Sequence, residues 1–254
     1  MRLAGKRALL VGASSPDGMG AAVARRFLAE GAKVVLGGRD PAKMKDVADE
    51  LGLAVVQLDI TEEASLGRGV AEAVALLGGL DVAVNLAGKN RSVVIAEENF
   101  DGLMEQAKLH FVGTALFIRD VAAAMTGGGS IVTISSLTVE LTGARLAAYA
   151  GSKAAADKVM KIAAVEYGER GIRVNAVAPG LTRTKMTGAY FDNPALMGAF
   201  QRETPTGRLS EPEDVAAAVL WLASDECTTT GDIVRVSGGM HLRRLPTPRD
   251  IASS

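Results

Sequence analysis

The chain has 254 residues, 28 basic and 29 acidic, with a formal net charge of −1 and 48% hydrophobic content. That length supports one large core without a second domain, and the even charge balance, with no basic run longer than a pair, leaves no electrostatic footprint for nucleic acid. A single cysteine, Cys227, with only His110 and His241 beside it, excludes an internal disulfide and a metal cluster of soft ligands. No apolar run approaches the roughly 20 residues that cross a bilayer, and the first residues, MRLAGKRALLVGASS, lack a long apolar core. No membrane partner is expected, and the setting expected is cytoplasmic and reducing.

Short β-branched runs alternate with longer helical patterns from end to end, which predicts an α/β fold of Rossmann type, a doubly wound parallel sheet of seven strands in one domain. Strands are expected at Ala8–Val11, Lys33–Leu36, Ala54–Leu58, Val82–Asn85, Ile131–Ser135, Arg173–Ala178 and Ile233–Val236. Helices are expected at Gly20–Glu30, Pro41–Leu51, Thr61–Leu77, Phe100–Met125, Tyr149–Arg170 and Glu211–Ala223. Thr61 is placed to cap the third of these, and Ser210 with Glu213 forms a capping box for the last, with Pro212 in its first turn. Residues 182–209 mix Met186, Phe191, Met197 and Phe200 with glycines and prolines, a composition suited to a lid over an apolar pocket. The tail, residues 242–254, is expected to pack on a neighbour or fray. Met160 follows core spacing on its helix, and Cys227 reads as a packing or surface residue.

Two stretches carry chemistry. After the first strand, VGASSPDGMG places Gly12, Gly18 and Gly20 with Met19 between a strand and a helix. There the backbone turns tightly and the helix N-terminus offers free N–H groups to a pyrophosphate. The spacing matches neither G-x-G-x-x-G nor a P-loop, so a nucleoside triphosphatase is excluded. The second strand ends in Gly38 and Arg39 where an NAD-binding fold usually carries an acid. A guanidinium there grips a 2′-phosphate, which favours NADP(H) over NAD(H), with Ser14 and Lys43 within possible reach. Further on, Tyr149 and Lys153 lie four apart on one helix face. The ammonium is expected to lower the phenol pKa toward neutrality, so that Tyr149 serves as acid or base while Ser136 at a strand end holds the substrate oxygen. No G-x-S-x-G elbow is present, which disfavours a hydrolase.

Taken together these residues resemble the short-chain dehydrogenase/reductase family over roughly residues 6–240. Its YxxxK pair stands here as YAGSK with Ser136 thirteen positions upstream, NLAG resembles its NNAG, and RVNAVAPGLTRT and GRLSEPEDVAAAVLWLAS resemble its later landmarks. The resemblance implies that Asp59 and Ile60 approach the adenine, that Asn85, Ala87 and Gly88 line the adenosine side, that Tyr149 and Lys153 contact the cofactor, and that Pro179, Gly180 and Thr184 hold the nicotinamide. It implies a homodimer or homotetramer paired through residues 98–125 and 149–170. The substrate would be a small apolar carbonyl or alcohol, such as a steroid, terpenoid, 3-oxoacyl thioester or aromatic ketone. A non-catalytic NADP(H)-binding module of the same scaffold is the alternative.

Three positions depart from the family pattern. Five residues separate Gly12 from Gly18, as in the enoyl reductase branch, yet that branch places its lysine seven positions after the tyrosine. Leu86 replaces the second asparagine of NNAG. His110 replaces an asparagine that holds a relay water in the family, and is read either as a relay titrating near pH 6–7 or as a packed helix histidine.

Overall fold

The computed structural model describes residues 1–252. All seven expected strands form, as β1 (Arg7–Val11), β2 (Lys33–Gly38), β3 (Ala54–Gln57), β4 (Val82–Asn85), β5 (Gly129–Ile134), β6 (Ile172–Pro179) and β7 (Ile233–Val236). They make one sheet in the order β3-β2-β1-β4-β5-β6-β7, every pair parallel. Chain order reverses between β1 and β4, so a crevice opens beyond their C-terminal ends, the usual ligand position of an open α/β sheet.

The helices are α1 (Met19–Ala29), α2 (Lys45–Leu51), α3 (Glu63–Leu77), α4 (Phe100–Gln106), α5 (Gly113–Ala124), α6 (Ala147–Tyr167), α7 (Gly188–Phe191), α8 (Pro194–Arg202), α9 (Pro212–Ala223) and α10 (Pro248–Ala252). Valine-rich strands with no polar face need cover on both sides. One cluster packs Phe27 and the alanines of α1 with Val215, Val219 and Leu222 of α9 on one face. The other packs Leu66 and Val70 of α3, Phe117 and Val121 of α5 and Met160 of α6 on the opposite face. Met160 is core as expected, and Cys227 is a buried packing residue beside α9.

Several expectations shift. Residues 100–124 are not one helix: six residues of π-helix, Ala107–Val112, separate α4 from α5, a widening that often marks functional positions. Pro41–Met44 forms a 3₁₀ turn ahead of α2. Glu62, not Thr61, stands at the start of α3, because Asp59 Oδ1 accepts both the Thr61 amide and hydroxyl and draws that residue into the preceding turn. The capping box of α9 belongs to Glu211 and Asp214 rather than Ser210 and Glu213, since the Ser210 hydroxyl donates to the Val236 carbonyl instead. The described part of the tail folds back on its own chain: Leu245 joins a small apolar cluster, and Arg244 pairs with Glu203 and Asp250. Residues 253–254 lie outside the described residues.

Candidate active site

The crevice holds two adjoining cavities of about 640 and 410 Å³, which share Gly12, Ser14, Lys43, Leu86 and Gly88 in their walls. Their floor is the turn after β1. Gly12 has φ +101°, and a Cβ there would lie 2.7 Å from Ala87 N. A Cβ on Gly20 would lie 2.6 Å from the Gly12 carbonyl oxygen. These two glycines let the loop, the first turn of α1 and the turn after β4 close on one another. Gly18 is the N-cap of α1, no side chain caps that end, and Gly18, Met19 and Gly20 all line the larger cavity. A cradle of free N–H groups at a helix start fits a pyrophosphate.

The smaller cavity runs over the end of β2. Gly38, Arg39, Lys43, Asp59, Ile60, Ala87 and Gly88 line it. Lys43 pairs with Asp40 at 3.4 Å, whereas Arg39 is exposed at the rim. Asn85 stands one layer below the wall, where its Oδ1 accepts the Ala87 amide and its Nδ2 donates to Thr114 Oγ1. It shapes the wall of the smaller cavity without lining it. Leu86 forms part of the wall itself, so that stretch of wall is apolar where the family pattern has an amide.

Ser136, Tyr149, Pro179, Gly180 and Thr184 line the larger cavity. Ser136 follows β5, and its Oγ accepts from the Thr138 amide at 3.2 Å and the Thr138 hydroxyl at 2.9 Å. With its lone pairs so engaged, the Ser136 hydroxyl is left to donate, and the Tyr149 hydroxyl is within its reach. Tyr149 sits in the first turn of α6, where burial raises its pKa and the Ser136 hydroxyl pulls it down. Burial outweighs the expected lowering of this phenol, and Lys153 donates to the Ile134 carbonyl at 2.6 Å. Lys153 is 6% exposed, and burial holds its pKa down at about 8 against the pull of Asp157.

His110, on the π-helix, is 1% exposed. Its Nε2 accepts the Lys89 amide at 3.3 Å, and its Nδ1 faces Ser152 Oγ at 3.0 Å, while Ser152 donates to the Tyr149 carbonyl. The imidazole packs edge-on against the Tyr149 ring, with centroids 5.3 Å apart. Burial first, and the Lys153 charge second, push its pKa down to about 3. The ring is therefore neutral across the working range, which corrects the expectation of titration near pH 6–7. An imidazole with both nitrogens bonded braces the start of α6.

The remaining surprises concern the lid and the supporting side chains. Phe191, Met197 and Phe200 do not face the pocket. They pack down on Leu137, Ala178, Leu209 and Met240, leaving Met186 with Lys185 and the threonines 182, 184 and 187 along the cavity. Thr138 and Ser152 escaped the sequence reading, although Thr138 two residues after Ser136 is a local turn signal and Ser152 lies inside YAGSK. Among the described residues no group of acids, histidines or cysteines is arranged to hold a metal, and no helix is long and apolar enough to cross a membrane.

Comparison with known proteins agrees with this geometry. A family model described as enoyl-(acyl carrier protein) reductase matches residues 12–241. The 2,5-dichloro-2,5-cyclohexadiene-1,4-diol dehydrogenase of Sphingobium indicum is 38% identical, covering 94% of this chain and 97% of its own. A solved short-chain type dehydrogenase/reductase from Mycobacterium ulcerans superposes with a TM-score of 0.93 at 32% identity, over 97% of this chain and 94% of that one. A gluconate 5-dehydrogenase from Burkholderia cenocepacia, solved with NADP and tartrate, superposes with a TM-score of 0.88 at 29% identity, over 94% and 96%. The chain belongs to the short-chain dehydrogenase/reductase family and is an oxidoreductase.

Proposed function

We propose that the protein interconverts a secondary alcohol and a ketone with NADP(H), acting on a small, largely apolar substrate. The observation that carries this reading is one cavity whose walls hold the glycine cradle at one end and the Ser136 and Tyr149 hydroxyls at the other. A bound nicotinamide would supply the hydride to the carbonyl carbon or take it back. The chain's own groups handle the oxygen. Ser136, whose lone pairs are occupied by Thr138, would donate to it and orient it. Tyr149, kept protonated by burial, would deliver the proton in the reductive direction. Lys153, charged below about pH 8, would hold the ribose and stabilise the phenolate left behind. The lysine four residues after Tyr149 favours carbonyl chemistry over the enoyl reduction named by the family model.

Arg39 at the rim, with glycine in place of an acid before it, supports NADP(H), as does the NADP in the Burkholderia relative. The carbocyclic diol named for the Sphingobium relative supports a ring alcohol or ketone of similar size. Exposed Phe100, Leu103, Met104, Phe111 and Val112, together with Ile162 and Val165 on α6, support a homodimer or homotetramer paired through these helices. A cytoplasmic setting completes the proposal. The test is a titration with NADPH and NADH followed by a ketone panel. Tighter NADPH binding and turnover of cyclic ketones are expected, and turnover confined to enoyl thioesters would refute the assignment.

A further inference from the structure

The C-terminal end of β5 is held to α6 by two consecutive residues. Ile134 offers its carbonyl to Lys153 Nζ at 2.6 Å, and Ser135 donates its hydroxyl to Asp157 Oδ2, also at 2.6 Å. Lys153 and Asp157 stand one helical turn apart, and each is only 6% exposed. The next residue of the chain is Ser136, which lines the cavity. A carboxylate at this depth is costly unless hydrogen-bonded and balanced by charge, and an apolar side chain would serve packing at least as well.

The groups that face the pair account for its charge. Asp157 meets Ser135 just after β5, Lys153 and Lys161 from its own helix, and Glu140 from the segment that follows, which is itself paired with Arg235. Lys153 meets Asp157, the Ile134 carbonyl and His110, and that imidazole is neutral. Among the described residues, Asp157 is thus the acid that acts on the Lys153 ammonium. Burial raises the Asp157 pKa and lowers that of Lys153, and each group opposes the shift of the other.

We propose that Asp157, held by Ser135, is a positioning residue of the active site. Its carboxylate keeps the buried Lys153 ammonium charged and, through the paired contacts of Ile134 and Ser135, fixes Ser136 of the β5 end against Tyr149 of α6. The proposal rests on the roles assigned above to Ser136, Tyr149 and Lys153, but its primary readout does not.

Asp157→Asn keeps an oxygen that accepts from Ser135 and removes the charge. Titration of the Lys153 ammonium is followed by NMR in protein isotope-labelled at lysine, with the signal identified by Lys153→Met. The midpoint, about 8 in the parent chain, is expected to fall by about one pH unit in Asp157→Asn. The high-pH limb of kcat/KM for ketone reduction should move down in parallel, with kcat falling more than KM rises, and Asp157→Glu should restore both. An unmoved midpoint overturns the proposal, whether activity is retained or lost uniformly at every pH. If Asp157→Asn does not fold, Asp157→Ser is read instead. Loss of the carboxylate must move the midpoint in the same direction, and an unmoved midpoint again overturns the idea. Ketone turnover by Tyr149→Phe would sink the catalytic assignment alone, because the lysine titration reports on Asp157 regardless.

Discussion

Gly12→Ala perturbs the point where three chain segments meet. At φ +101° an alanine occupies backbone space that L-residues avoid, at a cost of about 1–3 kcal/mol. Its Cβ would also lie 2.7 Å from Ala87 N and Leu86 C, where carbon contacts need about 3.5–4.0 Å. Both neighbours are backbone, so a shift of about 1 Å must be taken up by the turn after β4, and overpacking of this kind costs about 1–3 kcal/mol more. Gly52→Ala is the matching control, because φ there is +65° and nothing lies within 4 Å of a Cβ. It carries strain alone, about 1–2 kcal/mol, and lies outside both cavity walls. Thermal unfolding and calorimetric titration with NADPH separate the two. Gly12→Ala should melt well below Gly52→Ala, at about 2–4 °C per kcal/mol for a chain of this size. It should also lose about tenfold or more in NADPH affinity, equivalent to about 1.4 kcal/mol, while Gly52→Ala binds like the parent. Equal melting and equal binding of the two variants would refute the reasoning.

Other outcomes follow from single contacts. Arg39→Ala should weaken NADPH binding by about 10–100-fold, the worth of a charge-assisted hydrogen bond to phosphate, and leave NADH nearly unchanged; equal losses for both would count against a 2′-phosphate site. Arg173 donates to the Leu222 and Ser224 carbonyls at the end of α9, at 2.7 and 3.0 Å. Arg173→Met should lower stability by about 1–3 kcal/mol in denaturant titration, and an unchanged midpoint would contradict that capping role. His110 has a folded-state pKa of about 3 against an ordinary 6.5, so the unfolded chain binds more protons between those values. Its contribution is fully present above pH 6.5 and is lost as pH falls toward 3, by up to roughly 3–5 kcal/mol. His110→Asn should flatten that slope relative to the parent chain, and parallel slopes would place the imidazole elsewhere.

The sequence made the architecture legible because a buried parallel sheet demands continuous apolar runs separated by helical spacing. All seven strands followed from that pattern, whereas Ser136 and Tyr149 were picked out by the four-residue spacing of Tyr149 and Lys153 and by the family resemblance. Details set by tertiary competition were not legible. The π-helix around His110 leaves no mark in helical periodicity, and the partners of its imidazole, Ser152 and the Lys89 amide, come from other elements. Thr61 looked like a cap until Asp59 claimed it. Aromatic lid residues read as pocket lining because composition cannot tell which side of a segment packs on Leu137 and Met240. The phenol and lysine shared a face as expected, but their pKa directions come from burial, which spacing does not reveal. Asp157 shows the same limit. Its position one turn after Lys153 was visible, but its burial and its bond to Ser135 were not.

The central claim is that the Tyr149 phenol delivers the proton to the substrate oxygen, and Tyr149→Phe tests it most directly. In steady-state NADPH oxidation with the best ketone of the panel, kcat should fall by about 100–10,000-fold while NADPH affinity stays close to that of the parent chain. Retention of parent-like turnover by the phenylalanine variant would contradict the account.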